Sequence, residues 1–498
     1  MPTEEVYLAV DLGASGGRVL AGLLDGRRLR LEEVHRFDNG GIPAAGGLYW
    51  DLLGLWSQIV VGLRAAAARF PGRVKSVGVD TWGIDFAFLG RGDVLLENPH
   101  SYRDPRCEGM MERALERVPR AEIFSKTGAQ FLNINTLYQL LALSEQNSPL
   151  LEMAESFLMM PDLFHWLMTG VKANEYTDAS TTQFFNPTKG RWATGLLGQL
   201  GIPSHFLGEI VQPGTNLGPL TRQVAAETGL TGVSVVLPGT HDTASAVMAV
   251  PARGEVSERP DWCYISSGTW SLMGAELPAP VVTDKCLELT FTNEGGVGGR
   301  TRLLKNIIGL WLVQECRRVW QRAGKTFSWD DLNRMAAAAP PLASLVDPDD
   351  GALMAPSDMP ATIRTLCQRK GQPVPHDEGA VIRTAIESLA LRYRQVLGRL
   401  EELTGGPVKT IHVVGGGTQN QQLCQATADA CQRHVVAGPV EATAIGNVMV
   451  QAIASGAVGS IAEAREIIRE SFPVVNYEPR EGDAWAEAAE RFQTLTKG

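Results

Sequence analysis

The sequence predicts an α/β protein of two domains built on one repeated plan, with a cleft between them. Three observations carry that expectation. A strand, a turn of small residues and a second strand occur at residues 7–24, and the same unit returns at residues 262–275. The runs after each unit are alike, with helices and a buried strand that ends in a small or acidic residue. Finally, 498 residues are too many for one hydrophobic core.

Residues 7–10, 19–24 and 29–37 read as three strands, with turns at residues 13–17 and at Asp25-Gly26. Asp51 is an N-cap type residue ahead of Leu52, Leu55, Trp56, Ile59 and Leu63, which share helical spacing. Residues 74–79 form a buried strand ending at Asp80. Three antiparallel strands, then helix, strand and helix, make the ribonuclease-H-like pattern. Residues 105–215 read as mainly helical, through apolar spacing at 134–143 and 157–168, and form an inserted cap over the first sheet. Residues 233–237 are another buried strand, followed by a polar turn and a small-residue helix at 244–248.

Proline and glycine cluster at 251–260 and set the boundary. The domains are then 1–250 and 251–498. In the second, hairpin strands at 262–275 precede a strand at 287–293 and helices at 307–323 and 378–403. The Pro-rich stretch 339–375 reads as an irregular surface excursion. A strand at 411–414 enters Gly415-Gly416-Gly417, and helices follow near 419–432 and 442–456. Residues 480–496 read as an amphipathic closing helix, one able to pack back on the first domain.

Composition excludes several classes. The net charge of −10 argues against nucleic acid as main partner, though not against a nucleotide. No run of about 18 apolar residues predicts a membrane span, and no basic-plus-apolar leader precedes the first strand. Seven cysteines, without paired metal spacing, fit a reducing cytoplasm. Cys424 and Cys431 lie seven apart and read as buried thiols on one helix face. No H-E-x-x-H spacing suggests zinc. Ala323-Gly324-Lys325-Thr326 resembles the end of a phosphate loop, but Val319 stands where its first glycine belongs. Thr301 likewise breaks a dinucleotide fingerprint at 295–299.

Four constellations carry chemistry. In the first turn, Asp11 precedes Ala14, Ser15, Gly16, Gly17 and Arg18, whose backbone N–H groups can form a nest for phosphate. Asp11 can hold a magnesium-bound water. In the second, Asp80, Trp82, Gly83 and Asp85 sit at the end of a buried strand, where α/β folds place ligands. Trp82 can stack on a sugar face while the carboxylates take its hydroxyls. Packing of Trp82 with a turn carboxylate is the competing reading. In the third, His241, Asp242 and Thr243 lead into a small-residue helix. Asp242 can take a proton from an attacking hydroxyl, or cap the helix. In the fourth, Gly415-Gly416-Gly417 with Asn420 lets the backbone lie against a purine. Asn306, Ile307, Leu310 and Gln314 fall on one face at helical spacing.

With these residues in view the chain resembles the FGGY carbohydrate kinases of the actin, Hsp70 and sugar kinase superfamily. The resemblance spans nearly the whole chain. It rests on residues 10–15 with Gly17-Arg18, Leu48-Tyr49-Trp50-Asp51, residues 80–86, Tyr102-Arg103-Asp104, residues 239–245, 267–271, 304–307 with 309–311, 415–417 with Gln419-Asn420, and 437–442. It implies ATP and Mg²⁺ as cofactors and phosphorylation of L-rhamnulose at its C1 hydroxyl. It implies Asp242 as proton acceptor, with Gly83, His241, Asp242 and Thr243 on the sugar. Ala14, Ser15, Gly16, Gly17 and Arg18 would take phosphate, and Thr269, Asn306, Gln314, Gly416 and Asn420 the nucleotide. Asp11, through water, and Asp242 would face the metal. Gly16 stands where the family often has a second serine, and Thr418 where it often has cysteine. Some members carry disulfides, which the cysteines here give no basis to transfer. A cytoplasmic monomer or homodimer is expected. Another ketose, such as L-fuculose or L-xylulose, and an actin- or Hsp70-like ATPase remain as alternatives.

Overall fold

The computed structural model describes residues 4–480 and 482–496. Position 481, inside the expected closing helix, lies outside the described residues. The chain divides into two compact units. One comprises 1–257, 276–303 and 442–472; the other comprises 258–275, 304–441 and 473–498. The closing helix Asp483–Leu495 thus counts with the second unit, whereas Ala442–Ala454 and Ile461–Ser471 are built into the first.

In the first unit, Glu5–Gly13, Gly16–Leu24 and Leu29–Asp38 pair antiparallel, as the alternating and β-branched runs imply. Val74–Thr81 joins Glu5–Gly13 in parallel, and Ser234–Val236 joins Val74–Thr81 in parallel. Tyr7, Leu8, Ala9 and Val10 have no exposed surface, as expected of a strand covered on both faces. The helix Leu52–Arg69 lays Leu55, Ile59 and Leu63 on this sheet, and the Asp51 carboxylate accepts from Gly54 N–H to start it. A second core lies in the insertion, where Phe86, Phe88, Phe157, Phe184 and Phe206 pack together.

The second unit repeats the strand order. Thr301–Ile308, Trp270–Leu277, Trp262–Ser267, Thr410–Val414 and His434–Ala437 lie side by side in that sequence. Trp262–Ser267 pairs antiparallel with Trp270–Leu277 and in parallel with Thr410–Val414. The ribonuclease-H-like expectation therefore holds in both units.

Several local expectations do not. The element after Val74–Thr81 is a strand, Phe86–Gly90, and it pairs with another strand, Ser156–Met159. Phe157 is thus in a strand, and the helix begins at Met160. Residues 284–288 are helical because the Thr283 hydroxyl accepts from Cys286 N–H and caps a turn; the strand is Thr292–Gly295. Lys305, Asn306 and Ile307 belong to the strand Thr301–Ile308, and the helix starts only at Trp311. That short run is buried almost throughout, so helical and strand periods could not be told apart. The stretch 339–375 is not a surface excursion. Asp358 caps a helix, Met359–Arg369, and Leu345, Leu353, Met359, Ile363 and Cys367 are fully buried. Among the described residues no helix is long and apolar enough to cross a membrane.

The helix Ala442–Ala454 is sewn onto the first sheet by polar side chains. The Gln451 amide donates to the carbonyl of Leu8 at 3.0 Å and accepts from the Ser76 hydroxyl at 2.6 Å. Its Gly446 meets the helix Asp242–Met248 so closely that a β-carbon would lie 1.8 Å from the Ser245 carbonyl oxygen. Alanine favours a helix over glycine by about 1 kcal/mol, but here the clash must displace backbone. Gly446→Ala is therefore expected to destabilise by roughly 1–3 kcal/mol, seen as a lower Tm in a thermal melt. An unchanged or higher Tm would contradict this packing.

Candidate active site

Parallel pairing places the first two acidic residues together. Asp11 lies opposite Asp80 across the strand pair, at the end where both strands stop. The glycine turn between the first two strands is tight: Gly13 pairs with Gly16, so Ala14 and Ser15 alone form its tip. Arg18 reaches back across the hairpin to Asp11, with Nη2 2.7 Å from Oδ2. Asp80 is completely buried; Asn447 donates to its Oδ2 at 2.6 Å, while Oδ1 has no partner. Burial, and then the charge of Asp11, hold the Asp80 carboxyl well above the usual range.

The strand end then turns sharply. The N–H of Asp85 donates to the carbonyl of Gly83 at 3.0 Å, closing a three-residue turn about Ile84, whose φ is +69°. A β-branched residue at positive φ is strained, and turns of this hand are rare. Side chains of the insertion hold it in place. Ile84 N–H donates to the Thr181 hydroxyl at 3.1 Å, and its carbonyl accepts from Thr136 Oγ1 at 2.6 Å and Gln139 Nε2 at 3.2 Å. Strain held by surrounding bonds is common at ligand sites.

Asp85 is saturated by protein. Its Oδ2 accepts from the indole N–H groups of Trp50 (2.7 Å) and Trp82 (3.0 Å) and from Tyr102 N–H (3.1 Å), and its Oδ1 accepts from Gln139 (2.9 Å). Burial pushes its pKa up to about 6 against these four donors. Trp82 is buried and packs on Trp50, with ring centroids 4.2 Å apart. The indole and carboxylate expected to face a sugar thus occupy each other, behind Gly83.

The loop carrying His241 is joined to the same strand end. Thr81 N–H donates to the Thr240 carbonyl at 2.9 Å, and Thr81 and His241 form a parallel bridge. Glu175, fully buried, clamps this loop to the insertion: one oxygen accepts from Thr240 N–H and hydroxyl (3.2 and 2.5 Å) and from Thr177 N–H and hydroxyl (2.9 and 2.5 Å). His241 is the N-cap of the helix Asp242–Met248 and makes no side-chain cap bond. Asp242 is the first helical residue, so it does not cap the helix. Its Oδ1 accepts from the Thr243 hydroxyl at 3.0 Å and lies 3.5 Å from His241 Nε2, and its side chain is 34% exposed. Burial raises its pKa; His241 and Thr243 oppose that, and Asp11 adds to it. Asp242, Asp80 and Asp11 therefore share one electrostatic environment, with Asp242 the most open of them.

In the second unit the hairpin tip at residues 267–271 is the hub. The Thr269 hydroxyl donates to Gln314 Oε1 at 3.2 Å, and the Thr269 carbonyl accepts from the N–H of Gly309 and Trp311. A β-carbon on Gly417 would lie 2.0 Å from Ser267 Oγ, whereas one on Gly416 meets nothing within 4 Å. Gly417 is required by protein packing, and Gly416 supplies the open face. Asn420 caps the helix Gln421–Cys431 by accepting from Leu423 N–H at 2.9 Å. Asn306 sits on its strand just ahead of Gly309, whose N–H donates to the hub at Thr269.

Glu175, Gln139, Asn447, Glu294 and Arg302 were missed in the sequence. Each contacts a site residue tens to hundreds of positions away, so no local pattern marks them. Among the described residues no group of three or more His, Cys, Asp or Glu could hold a metal ion. The partnerless Asp80 Oδ1 beside Asp11 does suit a hydrated cation whose remaining ligands come from phosphate and water.

Comparison with known proteins agrees with this architecture. Residues 6–249 match the N-terminal domain model of the FGGY family of carbohydrate kinases, and residues 263–455 match its C-terminal domain model. A curated rhamnulokinase of Bacteroides thetaiotaomicron is 44% identical over 99% of this chain and 100% of its own length. One from Oceanobacillus iheyensis is 41% identical over 95% of this chain and 98% of its own. Among solved structures, a xylulose kinase of Lactobacillus acidophilus superposes with a TM-score of 0.79 at 17% identity, covering 99% of this chain and 96% of its own. Plasmodium falciparum glycerol kinase, solved with ADP, gives 0.77 at 13% identity, covering 99% and 98%. These structural likenesses speak for the fold, and the sequence matches speak for the family. The chain belongs to the FGGY family of carbohydrate kinases.

Proposed function

We propose that this kinase transfers the γ-phosphoryl group of ATP to the C1 hydroxyl of L-rhamnulose. The observation that carries the chemistry is the difference between the carboxylates. Asp85 is consumed by four protein donors and Asp80 is sealed from solvent, but Asp242 keeps an open side at a helix start. Phosphoryl transfer asks the protein mainly to position the reactants and to accept the hydroxyl proton. Asp242 is the residue for that task, and its raised affinity for a proton favours it. Full-length similarity to curated rhamnulokinases supports the sugar.

In this reading Gly83, His241 and Thr243 contact the ketose, with Asp80, Trp82 and Asp85 setting the strand end behind them. Ala14, Ser15, Gly16, Gly17 and Arg18 receive phosphate. Gly16 lacks the hydroxyl common at its position, and the backbone N–H groups remain. Thr269, Asn306, Gln314, Gly416 and Asn420 receive the nucleotide. Residues 1–250 act as the sugar-binding domain and 251–498 as the ATP-binding domain. Asp11, through water, and Asp242 would hold Mg²⁺, which neutralises charge on the β- and γ-phosphates when bound. The seven cysteines are free and buried, in keeping with a cytoplasmic setting.

A coupled ADP-release assay across L-rhamnulose, L-fuculose, L-xylulose and D-xylulose tests the assignment. L-rhamnulose should show the highest kcat/KM, by about tenfold or more, the range that one or two pocket contacts supply. Preference for another ketose overturns the substrate, and ATP turnover indifferent to sugar overturns the reaction. Replacing Asp85 by asparagine puts an amide before donors that need an acceptor. Asp85→Asn should raise KM for the ketose several-fold while KM for ATP stays unchanged, at a stability cost of about 1–3 kcal/mol. Equal effects on both KM values would contradict a role at the sugar-side strand end.

A further inference from the structure

Behind Asp242 stands a second group of charged residues. Arg302 has no exposed side-chain surface. Its Nε donates to the Gly295 carbonyl at 2.7 Å, and its Nη2 lies 3.1 Å from Glu294 Oε2 and 3.0 Å from His241 Nδ1. A guanidinium has donors only, so the imidazole nitrogen it meets must be the one without a proton. The proton of a neutral His241 then sits on Nε2. That nitrogen is the one that stands 3.5 Å from Asp242 Oδ1, an ion-pair distance.

The geometry points to Arg302, seated on Glu294, as a positioning residue that locks His241 in the Nε2–H form, so that His241 and Thr243 both load Asp242 Oδ1 and leave Oδ2 to receive the substrate hydroxyl. This deepens the reading of Asp242 as base and rests on it. The two carboxylate oxygens acquire different work. Oδ1 accepts from Thr243 at 3.0 Å and faces His241, and neither of those donors reaches Oδ2. A histidine tautomer is set by the bond its other nitrogen makes. One contact competes: Glu294 Oε2 lies 3.4 Å from Nδ1 and would favour a proton there. The Arg302 contact is shorter and has hydrogen-bond geometry, whereas Glu294 Oε2 stands at ion-pair distance from Arg302 and has no hydrogen-bond partner. The arrangement differs from a serine-type triad, because the histidine orients the base and carries no proton away.

The test reads the tautomer directly. In full-length enzyme labelled with ¹⁵N-histidine, the His241 signals are identified by their loss in His241→Gln. The expected spectrum shows a protonated Nε2 and an unprotonated, hydrogen-bonded Nδ1. A proton on Nδ1 in the unmodified enzyme overturns the proposal. Arg302→Met should move the proton to Nδ1, toward Glu294, and lower kcat on the order of tenfold to a hundredfold, with KM for ATP unchanged. Arg302→Lys, which keeps a donor-only cation, should restore both the tautomer and most of kcat. If Arg302→Met does not fold, the unmodified spectrum and the Arg302→Lys variant still decide. A kcat unchanged in folded Arg302→Met also overturns it. Failure of the base reading is separate: Asp242→Asn would then keep its turnover, whatever the His241 spectrum shows.

Discussion

The parallel register of Glu5–Gly13 with Val74–Thr81 is the constraint on which the rest of the first unit depends. It sets Asp11 beside Asp80, and the bridge from Thr81 to His241 brings Asp242 to the same edge. Like charges a few ångström apart cost several kcal/mol at an effective dielectric of about 20. The surroundings answer that cost residue by residue. Arg18 pairs with Asp11, Asn447 donates to Asp80, and burial raises the affinity of the Asp80 carboxyl for a proton. A stretch of strand ends that gathers three acids is poorly suited to stability alone. It is well suited to a reaction that brings in phosphates with a cation and removes one proton.

The insertion acts on this edge through its polar side chains. Thr136, Gln139 and Thr181 hold the strained turn at Ile84, and Glu175 holds Thr240. Both loops that frame Asp242 are thereby fixed by residues whose own cores lie elsewhere, among the phenylalanines of the inserted region. Holding loops to sub-ångström tolerance is what orientation-dependent catalysis requires. The second unit uses the same economy. Its hairpin tip at 267–271 serves as seat for Gln314, for the Gly309–Trp311 turn and for the triple glycine.

Features encoded by neighbours in the chain were legible in the sequence. The hairpin at Asp11–Arg18, the acidic strand end at Asp80, the turn before Asp242 and the triple glycine all announce themselves within ten residues. The repeated strand order was legible for the same reason. What escaped was set by distance or by ambiguity of period. Arg302 and His241 are 61 positions apart, and Asn447 and Asp80 are 367 apart, so neither pairing leaves a local trace. Asn306 fits a helix in the sequence because a short run, buried almost throughout, fits both periods, and only Gly309 separates strand from helix. Asp85 and Trp82 were identified as a cluster, but which atoms each would spend on the other depends on Trp50, Tyr102 and Gln139.

The central claim is that Asp242, and not Asp80 or Asp85, faces the reacting hydroxyl. A crystal structure of the enzyme with L-rhamnulose and a non-hydrolysable ATP analogue measures this most directly. The account predicts the C1 oxygen within about 2.6–3.2 Å of Asp242 Oδ2, with Asp80 and Asp85 beyond hydrogen-bond reach. A C1 oxygen seated on Asp80, or one with no carboxylate partner, would contradict it.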